Sequence, residues 1–328
     1  FLNAANEGHL EAQFSLAYSY NIGRGTAIDY AKAFEWYKKA AMSGHLVAMN
    51  NLGLLYLNGN GTEQNYQQAF MWFEKAVSKG YKGANANLAY CYEFGRYVAK
   101  DLIKAYENYR VAAEAGDDYA MNKLGHFYEE GKGVAHNKAL SFQWFERSAK
   151  NGNKESQFKT ARFYDLGYGI GQDYKKAIFW YEKAVAQGDG TAMNNLGYLY
   201  QHGKGADVDL KKAFELFEKS ALANNKYGCA NLAYMYDNGV YVKQDYTMAY
   251  NWYLKGAELG NANCMNMVGQ YNLNGKGREK NYDEAAKWYQ KAIEKDPKHS
   301  SAHCNLGYCY EFGYGVPKDL DKALELYE

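Results

Sequence analysis

The chain has 328 residues, 47% of them apolar and 17% aromatic, enough to bury a sizeable core. Its 38 basic residues offset 37 acidic ones, and a net charge of +1 gives no field that would draw nucleic acid or an anionic membrane. No apolar run approaches the roughly 18 residues of a membrane span. The five cysteines (Cys91, Cys229, Cys264, Cys304 and Cys309) are odd in number and irregularly spaced. They predict free thiols in a reducing compartment, and hence a cytoplasmic location.

Six tryptophans, Trp36, Trp72, Trp144, Trp180, Trp252 and Trp288, all lie on one 36-residue grid. The two empty grid points hold Asn108 and Leu216, in segments KAYENYRVA (104–112) and KAFELFEKS (212–220) that match KAFEWYKKA (32–40). A fixed period of this size predicts an all-α solenoid in which each unit packs on its neighbours. The expectation is one array over residues 1–328, about nine helix-turn-helix units of 36 residues. The opening FLNAANEG (1–8) aligns with YKKAAMSG (37–44), and the closing KALELYE (322–328) with KAFEWYK (32–38). Each end therefore falls inside a helix without a polar capping unit, as expected of a piece of a longer protein.

Within a unit the first helix carries a small–xxx–Leu–small–xx–Tyr face, as in Ala48, Leu52, Gly53 and Tyr56, or Ala192, Leu196, Gly197 and Tyr200. A Gly-x-Gly loop follows, repeated in seven units. Lying between helices and never after a strand, it reads as a turn needing positive φ rather than a phosphate cradle. Tyr97 and Tyr241 replace its second glycine in two units, and because tyrosine is uncommon at positive φ a different loop path is expected there. Next comes an Asp or Asn in every unit: Asp29, Asn65, Asp101, Asn137, Asp173, Asp209, Asp245, Asn281 and Asp319. Each stands where a helix N-cap belongs. The second helix passes a small residue and then the Trp slot, expected to form its outer-layer core. It closes on Gly44, Gly80, Gly116, Gly152, Gly188 or Gly260, with Asn224 once in that place. The segment AIEKDPKHSSAHCNLG (292–307) is two residues longer than its counterparts, and Pro297 gives it a turn like that of a tetratricopeptide repeat.

The unit A-xxx-LG-x-x-Y-xx-G-x-G-xxx-D-xxx-A-xx-WY-xx-A resembles the Sel-one-like repeat family, which is related to tetratricopeptide repeats. NNLGLLYLNGNGTEQNYQQAFMWFEKAVSKG (50–80) carries the likeness most fully, and it extends over essentially the whole chain. The resemblance implies a right-handed superhelix of antiparallel helix pairs, with first helices on the concave side and second helices outside. It implies a non-catalytic adaptor whose partner is another protein or a peptide segment, acting alone or as a subunit of a larger complex. An architectural spacer within a large assembly is the alternative. A cell-wall-type hydrolase of the secreted, cysteine-rich branch is more remote, because Ala41, Met42 and Met49 stand where that branch's cysteines would be sought.

On that layout three columns of the first helix face a partner. One is Asn51, Asn87, Asn195, Asn231 and Asn305, whose amides either clamp a peptide backbone or satisfy backbone groups between repeats. The second includes Tyr18, Tyr90, His126, Arg162, Tyr198, Tyr234 and Tyr308, where a tyrosine covers area at small entropic cost. The third, Glu93, Glu129, Asp165, Asp237 and Glu311, is either a solvated helix end or a preference for basic or neutral peptide. His299 and His303 share i, i+4 spacing beside Cys304 but lack an acidic ligand, so no metal site is expected. No Ser/His/Asp or Cys/His set is present. The expectation is therefore no catalytic residue, no cofactor, no metal, no nucleic acid and no direct membrane insertion.

Overall fold

A computed structural model describes residues 2–328; Phe1, the first residue of the opening segment, lies outside them. The described residues form helices joined by short loops, in two compact units that divide between Ser156 and Gln157. The first unit holds α1 (Leu2–Asn6), α2 (Leu10–Ile22), α3 (Tyr30–Met42), α4 (Leu46–Asn58), α5 (Tyr66–Ser78), α6 (Asn85–Phe94), α7 (Leu102–Glu114), α8 (Asp118–Glu130) and α9 (Lys138–Lys150). The division falls within α10 (Lys154–Leu166). The second unit continues with α11 (Tyr174–Ala186), α12 (Gly190–Gln201), α13 (Leu210–Leu222), α14 (Lys226–Asn238), α15 (Tyr246–Glu258), α16 (Ala262–Asn274), α17 (Tyr282–Lys295), α18 (Ser300–Phe312) and α19 (Leu320–Tyr327). From α2 onward the helices alternate as first and second members of successive repeats, and each unit is a solenoid of such pairs.

The local signals act where they stand. Each of the nine Asp or Asn caps accepts a backbone N–H from the residue three positions on, at 2.9–3.0 Å. That bond satisfies one of the four N–H groups a helix start leaves open. At Asp29 and Asp173 the backbone N–H bond, ahead of the neighbouring lysine, holds the carboxyl below its usual range. From α3 to α15 the second helices end on left-handed residues, Gly44 (φ 102°) to Gly260 (φ 82°), with Asn224 (φ 58°) as the one substitute, whereas α17 ends on extended Asp296 (φ -137°). Two histidines join the caps: His45 and His299 accept from the N–H of Ala48 and Ala302 through Nδ1.

The core of each repeat is one ring set against one small residue. Phe73 of α5 is fully buried, and a Cβ added to Gly53 of α4 would stand 2.5 Å from it. The same approach recurs between Gly125 and Phe145, Gly197 and Phe217, and Gly269 and Tyr289. In alternate repeats the small residue is alanine and the ring is tyrosine, as in Ala89 and Tyr109 or Ala161 and Tyr181, all fully buried. This corrects the expectation for the tryptophans. The buried aromatic is the residue after the Trp slot, and of the tryptophans only Trp180 is buried; the other five are half-buried. Their indoles lie on the flank, under a cation three residues on: Lys39 over Trp36 at 4.0 Å, Lys75 over Trp72 at 4.6 Å, Arg147 over Trp144 at 4.7 Å.

The loops bring a second correction. Tyr97 and Tyr241 do not reroute the chain; they hold φ of 69° and 67°, within the range of the glycines they replace. Each phenol ring turns onto the second helix of the preceding repeat, Tyr97 5.8 Å from Phe70 and Tyr241 5.7 Å from Phe214. Ring packing there offsets a left-handed cost of about 1–2 kcal/mol.

Truncating Phe73 to Ala is expected to cost about 3–5 kcal/mol in a urea titration. Trp72→Ala is expected to cost clearly less, because its indole is only half withdrawn from water. Equal losses would contradict this assignment of the core.

Candidate partner-binding face

Each first helix gives alternate faces to the core and to the surface, and the three columns named above lie on or beside the surface side. The asparagines are half-buried and are bonded to one another rather than to backbone. Asn87 donates through Nδ2 to Asn50 Oδ1 at 2.7 Å, Asn231 to Asn194 at 2.8 Å, and Asn305 to Asn266 at 2.8 Å. Asn50 and Asn194 in turn donate to their neighbours Asn51 and Asn195, at 3.4 and 3.2 Å. Asn195 then donates to the buried Tyr181 hydroxyl at 3.1 Å. The column is thus two kinds of residue. Asn51 and Asn195 accept a protein donor on Oδ1, whereas the Oδ1 atoms of Asn87, Asn231 and Asn305 have none among the described residues.

Asn50, Asn194 and Asn266, which accept these bonds, and Asn122, which donates instead, are buried and stand 72 residues apart, in every second repeat. A reading at 36 residues does not single out these inter-repeat links. The signal was in the sequence, at twice the period used to read it. Asn122 donates to Ser156 Oγ at 2.9 Å, its own version of the same link to the next repeat.

In the second column Tyr18, Tyr198, Tyr234 and Tyr308 expose their rings, and Tyr90 is half-buried beside Phe94 at 4.7 Å. Arg162 is exposed, with its guanidinium 6.0 Å from the Phe158 ring. His126 differs: Nε2 is 2.9 Å from Glu155, Nδ1 is 3.6 Å from Glu129 and 3.8 Å from Glu130, and its ring stands edge-on to Phe145. It borders a pocket of about 310 Å³ with Tyr119, Lys123 and Glu93 among its other walls.

The acidic column is neither a solvated helix end nor a free field. Three members accept the hydroxyl of the tyrosine 16 residues on: the buried Tyr109 to Glu93 at 2.7 Å, the buried Tyr181 to Asp165 at 3.0 Å, and the exposed Tyr327 to Glu311 at 2.9 Å. Asp237 takes Tyr271 at 2.7 Å. Lysines add their charge, Lys123 on Glu93 at 3.1 Å and Lys276 on Asp237. Burial pushes the Tyr109 and Tyr181 hydroxyls above the usual tyrosine range, so they remain donors. With its carboxylates used internally, this column gives no ground for a basic ligand.

All five cysteines are free thiols and four are buried. Burial pushes Cys91 and Cys264 up to about 12, which keeps them unreactive. Among the described residues no cluster of His, Cys, Asp and Glu has the geometry to hold a metal, and no helix is long and apolar enough to cross a membrane. His299 is a cap, and His303 Nε2 lies 3.1 Å from the Pro297 carbonyl.

Helix pairs in ranks, with hydrogen-bonded amides tying one first helix to the next, define a helical-repeat solenoid of the kind that generally serves protein interaction. The chain belongs to the Sel1 repeat family, whose model matches residues 10–45, 46–81, 83–117, 118–153, 154–189, 190–225, 226–261 and 300–328. Residues 278–311 also match a tetratricopeptide repeat, across the longer Pro297 turn. Among solved structures the chain is similar to c5321, a protective antigen present in uropathogenic Escherichia coli strains. The two are 32% identical over 98% of this chain and 76% of that one, with a TM-score of 0.76. A Sel1 repeat protein from Oxalobacter formigenes is 24% identical over 89% of this chain and 84% of that one, with a TM-score of 0.71, a likeness of fold. No curated protein matches the chain in sequence.

One carboxylate offers a pH test. Burial, opposed by the Tyr181 bond and nearby cations, raises the Asp165 carboxyl above its ordinary 3.8. The folded chain therefore binds that proton more tightly than the unfolded one, and stability falls as pH rises through 3.8 toward the raised value. Asp165→Asn, which keeps an oxygen for Tyr181, is expected to be more stable than the parent at pH 7 by urea titration. The advantage is expected to vanish below pH 3.8, where both side chains are neutral.

Proposed function

We propose that the chain is a non-catalytic scaffold that holds an extended segment of another protein along its first helices. The observation that carries this reading is a station built three times over. At Asn87, Asn231 and Asn305 the amide is tethered through one N–H to the preceding repeat, while its Oδ1 remains open. Three residues on, Tyr90, Tyr234 and Tyr308 offer their rings. The segments NLAYCYEFG (87–95), NLAYMYDNG (231–239) and NLGYCYEFG (305–313) are nearly one sequence. A held amide with an open oxygen accepts a backbone N–H of an extended chain, and its second N–H donates to a carbonyl of the same chain. The adjacent ring covers apolar area with only two torsions to fix.

The test is capture of the natural partner, first identified by co-purification and then titrated. Asn231→Ala combined with Asn305→Ala is expected to weaken binding about thirtyfold, at about 1 kcal/mol for each amide. Circular dichroism and a urea titration run alongside report whether the repeats remain folded. Undiminished capture by the folded double variant would sink the proposal.

A further inference from the structure

The residue after the first loop glycine has a repeated destination. In three repeats it is a cation resting on the tyrosine that opens the second helix of the preceding repeat. Arg96 lies 4.9 Å from the Tyr66 ring, Lys204 lies 5.5 Å from Tyr174, and Lys276 lies 4.3 Å from Tyr246. Lys204 also reaches Tyr198 at 5.0 Å, so its ammonium sits between rings of two successive repeats. The slot is a π-faced seat that the chain fills with its own positive charge.

In the repeat of α18 the cation is absent. Tyr314 takes its place, stacked on Tyr282 at 4.5 Å with planes 19° apart, and 5.8 Å from Tyr308. Phe312 extends the surface, 4.7 Å from Tyr308 and 5.9 Å from Tyr314. Tyr282, Tyr308 and Phe312 are exposed, and among the described residues no lysine or arginine lies over any of the four rings.

We propose that this platform seats a cationic side chain, an arginine or a lysine, carried by the partner segment. The faces of aromatic rings are negative, and a cation over them gains about 0.5–2 kcal/mol beyond the area it covers. The chain's three own occupants of the equivalent slot show which charge such a seat selects. Tyr314 closes the slot to an internal cation and lays a further ring on the surface, leaving the complementary charge to come from outside. The inference rests on the reading of the chain as a scaffold for a protein segment, and specifies one side chain of that segment.

The probes are two blocked pentapeptides, Gly-Gly-Arg-Gly-Gly and the same peptide with citrulline, which exchanges the guanidinium for a neutral urea of nearly equal shape. They are titrated into the intact chain while the aromatic carbon–proton signals are followed. The arginine peptide is expected to move the signals of Tyr308 and Tyr314, and to bind about three- to tenfold more tightly than the citrulline peptide. Tyr314→Lys, which restores the arrangement of Lys204 and Lys276 and so should fold, is expected to lose that preference. Equal binding of the two peptides, no movement of the ring signals at millimolar peptide, or an unchanged preference in Tyr314→Lys each overturns the proposal. Partner capture by the asparagine variants is a separate readout. Loss of capture there, with charge-blind peptides, refutes the seat and leaves the scaffold reading standing; the converse refutes the scaffold reading alone.

Discussion

The ring of Phe73 rests where Gly53 has no side chain, and that contact sets the distance between the two helices of a repeat. Its copies at Phe145, Phe217 and Tyr289 set the same distance elsewhere, and the rest of the repeat is arranged around it. The N-cap begins the second helix at the point from which its ring reaches the small residue. The left-handed glycine ends that helix about two turns after the ring has been delivered. Neither cap contributes much buried area, yet each determines where the aromatic arrives.

The features most legible in the sequence are those a single backbone position demands. A left-handed residue calls for glycine or asparagine, and an open helix start calls for a short polar acceptor. Gly44, Asn224 and Asp29 accordingly do what their types suggest. The tryptophans misled because a large apolar residue at fixed spacing satisfies the pattern of a core equally well when it lies along the rim. Only packing shows that Tyr37 and Phe73, one residue further, are withdrawn completely while the indoles keep company with lysines. Tyr97 and Tyr241 misled for the opposite reason. The left-handed strain is local, but the ring contacts that offset it come from the preceding repeat, outside the repeat that carries each tyrosine.

The surface columns show the same limit. The carboxylates look available in sequence because their partners are 16 residues away, on the other helix of the same pair. Once the tyrosine hydroxyls and Lys123 are in place, what faces outward at these positions is chiefly amide and aromatic ring. Such a face carries little long-range charge. That agrees with a chain whose total charge is close to zero.

The buried asparagines impose an arithmetic on the array. Asn50, Asn122, Asn194 and Asn266 each need a partner from the following repeat, and the repeat that supplies the partner does not itself place an asparagine in the receiving slot. Deleting one 36-residue unit would bring two receiving helices together, or two supplying ones, and leave amides buried without partners at about 1–3 kcal/mol for each orphaned group. The natural currency of growth and loss for this chain is therefore the pair of repeats. An array built on this rule lengthens or shortens in pairs of repeats, by duplication of whole pairs.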